Sequence, residues 1–208
     1  ILETPDTYVV LVGDIIDNFV KFSSMAPILD QVINPKAQKK VMKIIATELK
    51  EKGKLLAACW GNHDISRDER LFGESPVGDI LATACPYFNG KGEINLSVGK
   101  QNYSIVISHD LKGHSMHNKN HAQTRQLKQY SPNADIVVSA HKHDPSIQTC
   151  YMFGQKKAMV ACGTFQESDT FSKRYWQPGQ IGAPVVIFDN EQKNFEALMG
   201  LEMMEKIR

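Results

Sequence analysis

Apolar residues in this chain gather into short runs that each break off at a polar, chemistry-bearing residue. Val9-Val10-Leu11-Val12 gives way to Gly13-Asp14, and Leu55-Leu56-Ala57-Ala58-Cys59 to Trp60-Gly61-Asn62-His63-Asp64. Ile105-Val106-Ile107-Ser108 stops at His109, and Ile136-Val137-Val138-Ser139-Ala140 at His141-Lys142-His143. Short continuous apolar runs bounded by glycine or polar residues predict strands buried on both faces. In α/β sheets, the carboxyl ends of such strands are where functional side chains collect.

Between the first two runs, Asn34-Pro35 supplies a helix start, an Asn cap followed by Pro at the first position, and Gly53 supplies a stop. Val41, Ile44, Ile45 and Leu49 recur at helical spacing, with Lys39, Lys40, Lys43, Lys50 and Lys52 off that face. The pattern predicts an amphipathic helix whose Val41-Ile44-Ile45-Leu49 side covers the sheet. A strand, a helix and a strand in this order predict neighbouring parallel strands.

Further along, residues 77–84 read as a short helix and Asp68-Glu69-Arg70 as a charged surface turn. Residues 93–98 and 103–108 form a hairpin joined by Gly99-Lys100-Gln101-Asn102, and 118–130 a helix stopped by Ser131-Pro132. Beyond Ile136 the pattern is all-β. Residues 148–153 and 157–161 flank Gly154-Gln155, a dipeptide suited to a II′ turn, and 185–188 pairs with 195–199. Residues 163–183 make a long loop of the kind that is usually functional or disordered.

With 208 residues and 42% hydrophobic content the chain can bury a core without disulfides or a structural metal, and one domain is expected. Net charge is +1 with no long run of one sign, so bulk electrostatics point to neither a nucleic acid nor a membrane surface. A charged substrate must then be recognised locally. Cys59, Cys85, Cys150 and Cys162 show no C-x-x-C pairing, and Cys59 and Cys162 end apolar runs, which fits a reducing, cytoplasmic setting. No segment approaches the roughly 18 apolar residues of a membrane span, and the first residues lack a signal pattern.

The polar ends of the strands carry the candidate chemistry. Asn62 can offer a metal its carbonyl oxygen without adding charge, His63 can carry or supply a proton, and Asp64 can hold that imidazole in one orientation. Gly-Asn followed by polar residues is also how an ordinary turn looks. Asp14, His109 and the His141-x-His143 pair at the other strand ends turn the set into a metal-site constellation. Its mixed nitrogen and oxygen donors suit Mn, Fe, Zn or Co rather than Ca or Mg.

Other polar residues read more plainly. His114, His117 and His121 look like a solvated loop with an incidental His run, although His117 and His121 have a chelating spacing if helical. Lys112 and Lys142, beside candidate ligands, divide evenly between solvent exposure and phosphate binding. Arg174, Tyr175 and Trp176 combine a guanidinium with two aromatic faces, a set that can stack a base and hold a phosphate or simply anchor the long loop by packing.

The ordered set of G-D-x-x-D at 13–17, G-N-H-D at 61–64, a strand-end His109 and [GA]-H-x-H at 140–143 resembles the calcineurin-like metallophosphoesterases. Over 165–184 the resemblance is to phage and prophage members. It implies an α/β fold, a two-sheet β-sandwich flanked by helices. It also implies two divalent transition metal ions, with Asp14 bridging them, Asn62, His109 and His141 completing the second ion's shell, and His143 on the first. His63 would protonate the leaving group, oriented by Asp64, and Asp17 would support the turn. The implied activity is hydrolysis of a phosphomonoester or phosphodiester by a two-metal-activated water. Lys142, Arg174 and Trp176 are the candidate substrate contacts, and the 174–176 loop favours a nucleotide or nucleic acid.

The family opens with D-x-H, two ligands of its first ion, and no such triplet occurs in this sequence. Only 13 residues precede Asp14, whereas a strand, crossover helix and strand need roughly 30. The chain is therefore expected to be N-terminally incomplete, with its first strand missing and one complete metal site, Asp14, Asn62, His109 and His141. A different class of protein, a catalytically inactive phosphoesterase-fold scaffold acting in binding, is the alternative. Retention of His63 and Asp64 argues against it, because a scaffold has no use for a proton donor. The resemblance predicts that the residues encoded ahead of Ile1 supply an apolar strand ending in Asp-x-His; a start codon at Ile1 in the reading frame would contradict this.

Overall fold

The computed structural model describes residues 1–19, 31–166 and 182–200. They form a mixed α/β structure, sheets flanked by helices, in two compact units. The first unit comprises Ile1–Lys91 and the second begins at Gly92.

In the first unit, β1 (Val9–Val12), β2 (Leu55–Cys59) and β3 (Tyr87–Phe88) lie side by side in that order, all parallel. The helix α1 (Pro35–Glu51) joins β1 to β2, as the strand, helix, strand order predicts. The Asn34 side chain accepts a hydrogen bond from the Ala37 N–H at 2.9 Å, and Pro35 opens the first turn. Gly53, at φ +63°, stops the helix in the left-handed conformation that a glycine adopts without strain. Two shorter helices follow, α2 (Ser66–Phe72) and α3 (Pro76–Ala84).

The helix α1 turns a different face inward from the one its β-branched residues predict. Gln38, Met42, Ala46 and Leu49 are buried, whereas Val41, Ile44 and Ile45 are exposed, Ile44 by 65%. Met42, Ala46 and Leu49 join Ile16, Leu55, Ala58, Val77, Leu81 and Cys85 in one core. The buried stripe includes a polar residue because Gln38 works as a connector. Its Oε1 accepts the backbone N–H of Asn18 at 2.9 Å, and its Nε2 donates to the Ile33 carbonyl at 2.9 Å and to Gln31 Oε1 at 2.8 Å. The inner face of α1 thus grips the loop that follows β1.

The segment 68–70 also departs from expectation, since it is helical rather than a surface turn. Asp68 is 0% exposed and pairs with Lys39 of α1 at 2.6 Å. A carboxylate on the inner side of a short helix is tolerated there because a cation from the neighbouring helix meets it.

The second unit holds a five-stranded sheet in the order β4 (Lys91–Val98), β5 (Gln101–Ser108), β6 (Ile136–Ser139), β8 (Gln155–Ala161), β7 (Ser146–Met152). β5, β6 and β8 are parallel, and β7 runs antiparallel to β8. A further pair, β9 (Pro184–Phe188) and β10 (Phe195–Met199), is antiparallel. The helix α4 (His121–Gln129) buries Ala122 and Leu127 with Val106, Leu111, Val137 and Met159. It starts three residues later than the pattern predicts because Asn118 makes a turn ahead of it, its Oδ1 accepting the Asn120 N–H at 3.0 Å. Two turns are tighter or shifted. Gly99-Lys100 alone joins β4 to β5, and Phe153-Gly154 joins β7 to β8 with both residues at positive φ, as a I′ turn requires.

The inner and outer faces of α1 give a stability test. Met42→Ala should lower the unfolding free energy by roughly 2–5 kcal/mol, and Ile44→Ala by no more than about 0.5 kcal/mol, in denaturant titrations. Equal losses would mean that the outer face is covered in solution.

Candidate metal centre

Each unit builds part of the predicted constellation at the ends of its parallel strands. In the first, Gly13 and Asp14 leave β1 at φ +75° and +48°, a sharp left-handed bend that turns the Asp14 side chain away from the strand direction. Asp14 Oδ1 accepts the backbone N–H of His63 at 2.8 Å, and Asp14 Oδ2 lies 3.8 Å from His63 Nε2. Gly61 is required at this junction, since a Cβ there would overlap the backbone nitrogen of Asp14.

Asp64 returns the contact. Its Oδ1 accepts the N–H groups of Ile15 at 2.9 Å and Ile16 at 3.4 Å, and its Oδ2 accepts that of Gly61 at 3.2 Å. The residue is 0% exposed. Three backbone donors from two turns converge on this one carboxylate, so Asp64 binds the turn after β1 to the turn after β2. His63, half-buried, is held from the other side by Asn18, whose Nδ2 donates to the His63 carbonyl at 3.0 Å.

Sequence reasoning missed three residues here: Asn18, Phe19 and Arg67. Asn18 is buried at φ +46°, a conformation in which Asn is several-fold enriched among non-glycine residues. The Phe19 ring meets the His63 ring edge to face, with centroids 5.4 Å apart. The Arg67 guanidinium lies 4.0 Å from the Phe19 centroid, and its Nη1 donates to the Asp17 carbonyl. Burial pulls the Arg67 pKa below its ordinary value against the opposing pull of Asp14, Asp17 and Asp64. The signal available in the sequence was nearness: Arg67 follows His63 by four residues.

In the second unit, His109 follows β5 and is almost fully buried, and His141 and His143 follow β6. His141 Nδ1 and His109 Nε2 stand 3.2 Å apart, their rings at 75°. Two nitrogens each about 2.0–2.1 Å from one tetrahedral or octahedral ion are separated by about 2.8–3.4 Å, so this spacing suits joint ligation. His141 and His143 adopt φ +70° and +54°. Non-glycine residues in this region cost on the order of 1–3 kcal/mol each and gather at functional sites. Beside the pair, burial works to raise the Asp110 pKa, but the hydrogen bond to His114, with His141 and Lys112 nearby, outweighs it and holds the carboxyl below its ordinary value.

Lys142 is exposed, and Arg174 and Trp176 lie outside the described residues, as does most of the 165–184 stretch. His117 precedes α4 and His121 begins it, so the two do not share a helix. The cysteines are free thiols, and no helix among the described residues is long and apolar enough to cross a membrane.

The parallel strands of the first unit end in Asp14 and Asn62-His63, and those of the second in His109 and His141-x-His143. The model of the calcineurin-like phosphoesterase family matches residues 1–145, more than two thirds of the chain, and the chain belongs to that family. No curated protein matches it. Similar solved structures include wild-type Vps29 of Entamoeba histolytica complexed with zinc, at 12% identity over 74% of this chain and 88% of that one, with a TM-score of 0.39. A single mutant of the same protein is 15% identical over 91% of this chain and 97% of that one, also at 0.39.

The junction held by Asp64 can be tested without substrate. Asp64→Asn replaces one acceptor oxygen by a donor, which must then face a backbone N–H, and should cost roughly 1–3 kcal/mol of stability in chemical denaturation. A loss below about 0.5 kcal/mol would show that these bonds contribute little.

Proposed function

We propose that this chain is a metal-dependent phosphoesterase that hydrolyses a phosphomonoester or phosphodiester, with a nucleotide or nucleic acid as the substrate class. The observation that carries the reading is the His109–His141 pair, two imidazole nitrogens at a distance that suits one ion, in a chain of the calcineurin-like phosphoesterase family. Asp14, Asn62, His109, His141 and His143 are the proposed ligands of two divalent transition metal ions. Their nitrogen and oxygen donors fit Mn, Fe, Zn or Co. When bound, such ions neutralise phosphoryl oxygens and bring the pKa of a water toward about 7.

His63 is the proposed general acid toward the leaving-group oxygen. Its backbone is fixed at both ends, the N–H by Asp14 Oδ1 and the carbonyl by Asn18 Nδ2, which positions the ring that would exchange the proton. Asp64 supports this placement by shaping the turn that carries His63, in addition to the imidazole-orienting role that the family resemblance gives it. Lys142, Arg174 and Trp176 are the proposed substrate contacts. The reading places the protein in the cytoplasm and relates it to phage or prophage enzymes.

In the full-length protein, chelation should abolish phosphoesterase activity and Mn, Fe, Zn or Co should restore it. His63→Ala should lower turnover by roughly 10²- to 10⁴-fold with metal content unchanged, and a nitrophenyl ester, whose leaving group needs no proton, should recover part of the loss. Metal loss in His63→Ala would mean that this residue is a ligand. Absence of any metal-dependent hydrolysis would favour a scaffold that binds without catalysis.

A further inference from the structure

We propose that Arg67 is a phosphate anchor of the reaction, holding the non-bridging oxygens of the substrate's phosphoryl group beside His63. The inference rests on the phosphoesterase reading above and adds a residue to it. It starts from how Arg67 is held. The guanidinium lies against Phe19, 4.0 Å from the ring centroid, and the same ring packs edge to face with His63. Phe19, 9% exposed, therefore touches both the cation and the proposed acid.

Among the described residues, one contact uses the guanidinium's hydrogen-bonding capacity. Nη1 donates to the Asp17 carbonyl, and the remaining N–H groups have no partner among the described residues. They are not sealed in either, because the buried polar atoms without partners do not include them. Although Asp14, Asp17 and Asp64 all act on its charge, Arg67 forms no ion pair among the described residues. The planar guanidinium fork matches carboxylates and phosphates in a bidentate way. Here the fork is oriented by stacking and by a backbone carbonyl, and its charge is left available to an incoming anion.

A phosphoryl group suits that vacancy. Its oxygens accept two parallel N–H bonds from a planar guanidinium, which a lysine ammonium cannot match. Fixing those oxygens one ring away from His63 would set the leaving-group oxygen within reach of the imidazole, so Arg67 would act on binding more than on proton transfer.

The test uses Arg67→Ala and Arg67→Lys in the full-length, metal-loaded protein, with inorganic phosphate as the probe. Arg67→Ala should weaken phosphate binding in calorimetry by about 10- to 100-fold and raise KM for a phosphoester similarly, while kcat falls less and metal content is unchanged. Arg67→Lys should recover only part of the binding. If Arg67→Ala does not fold, the Lys variant carries the test alone, since it keeps the charge and loses the fork. Unaltered phosphate affinity in a folded variant of an active enzyme would overturn the anchor and leave the phosphoesterase reading standing. A wild-type protein that neither binds phosphate nor hydrolyses esters would overturn both.

Discussion

The first unit depends on a reciprocal exchange between two carboxylates and two turns. Asp64, from the turn after β2, accepts N–H groups of Ile15 and Ile16 in the turn after β1, and Asp14, from the turn after β1, accepts the N–H of His63 in the turn after β2. Hydrogen bonds to charged groups contribute about 1.5–3 kcal/mol each, but their larger effect is on shape. A fully buried carboxylate carries a desolvation cost that only a complete set of donors offsets. Neither turn can move without leaving Asp64 short of partners. The absence of a side chain at Gly61 lets the two turns approach closely enough for the exchange to form.

That exchange is also why the candidate residues were legible in the sequence while their support was not. Asp14, Asn62, His63 and Asp64 stand directly after unbroken apolar runs, and β1 and β2 end where those runs end. Continuous apolar runs of this length, cut short by glycine and polar residues, read as strands, and β2 is buried nearly throughout while β1 is half-buried. The helix α1 was equally plain in its ends, through Asn34, Pro35 and Gly53, but not in its rotation. Val41, Ile44 and Ile45 offered the more apolar stripe, yet the buried one runs through Gln38, Met42 and Ala46. Its polar member is buried for its hydrogen bonds to Asn18, Gln31 and Ile33, and hydropathy cannot register a partner distant in sequence. Asp68 was misread for the same reason, since only the neighbouring Lys39 makes its burial tolerable.

The shift of the β7–β8 turn by one residue has a more local cause. Gly154 invites a turn on either side of itself, and Gln155 looked the better partner for a II′ geometry. The strands instead close on Phe153 and Gly154, with Phe153 at φ +53°. The antiparallel register from Ser146 opposite Ala161 through to Met152 opposite Gln155 dictates that choice. A side-chain period of two leaves no room for a one-residue slip once the neighbouring positions are buried.

Positive φ at residues other than glycine links these observations to function. Asp14, Asn18, His141 and His143 all adopt it, although glycine would enter the same conformation at less cost. A glycine would bring no donor. The strain is accepted where a side chain of particular chemistry must leave the end of a strand at an angle that extended backbone does not provide, and the local packing supplies the offset: Gln38 for Asn18, the Asp64 exchange for Asp14, and the Ala140 N–H bond to the His109 carbonyl at 3.1 Å ahead of His141. Apart from Asp6 and the hairpin residue Phe153, the conflict between local preference and observed backbone among the described residues falls on proposed ligands and on the residue that holds His63, which is where a functional demand overrides the rules that shape the rest of the chain.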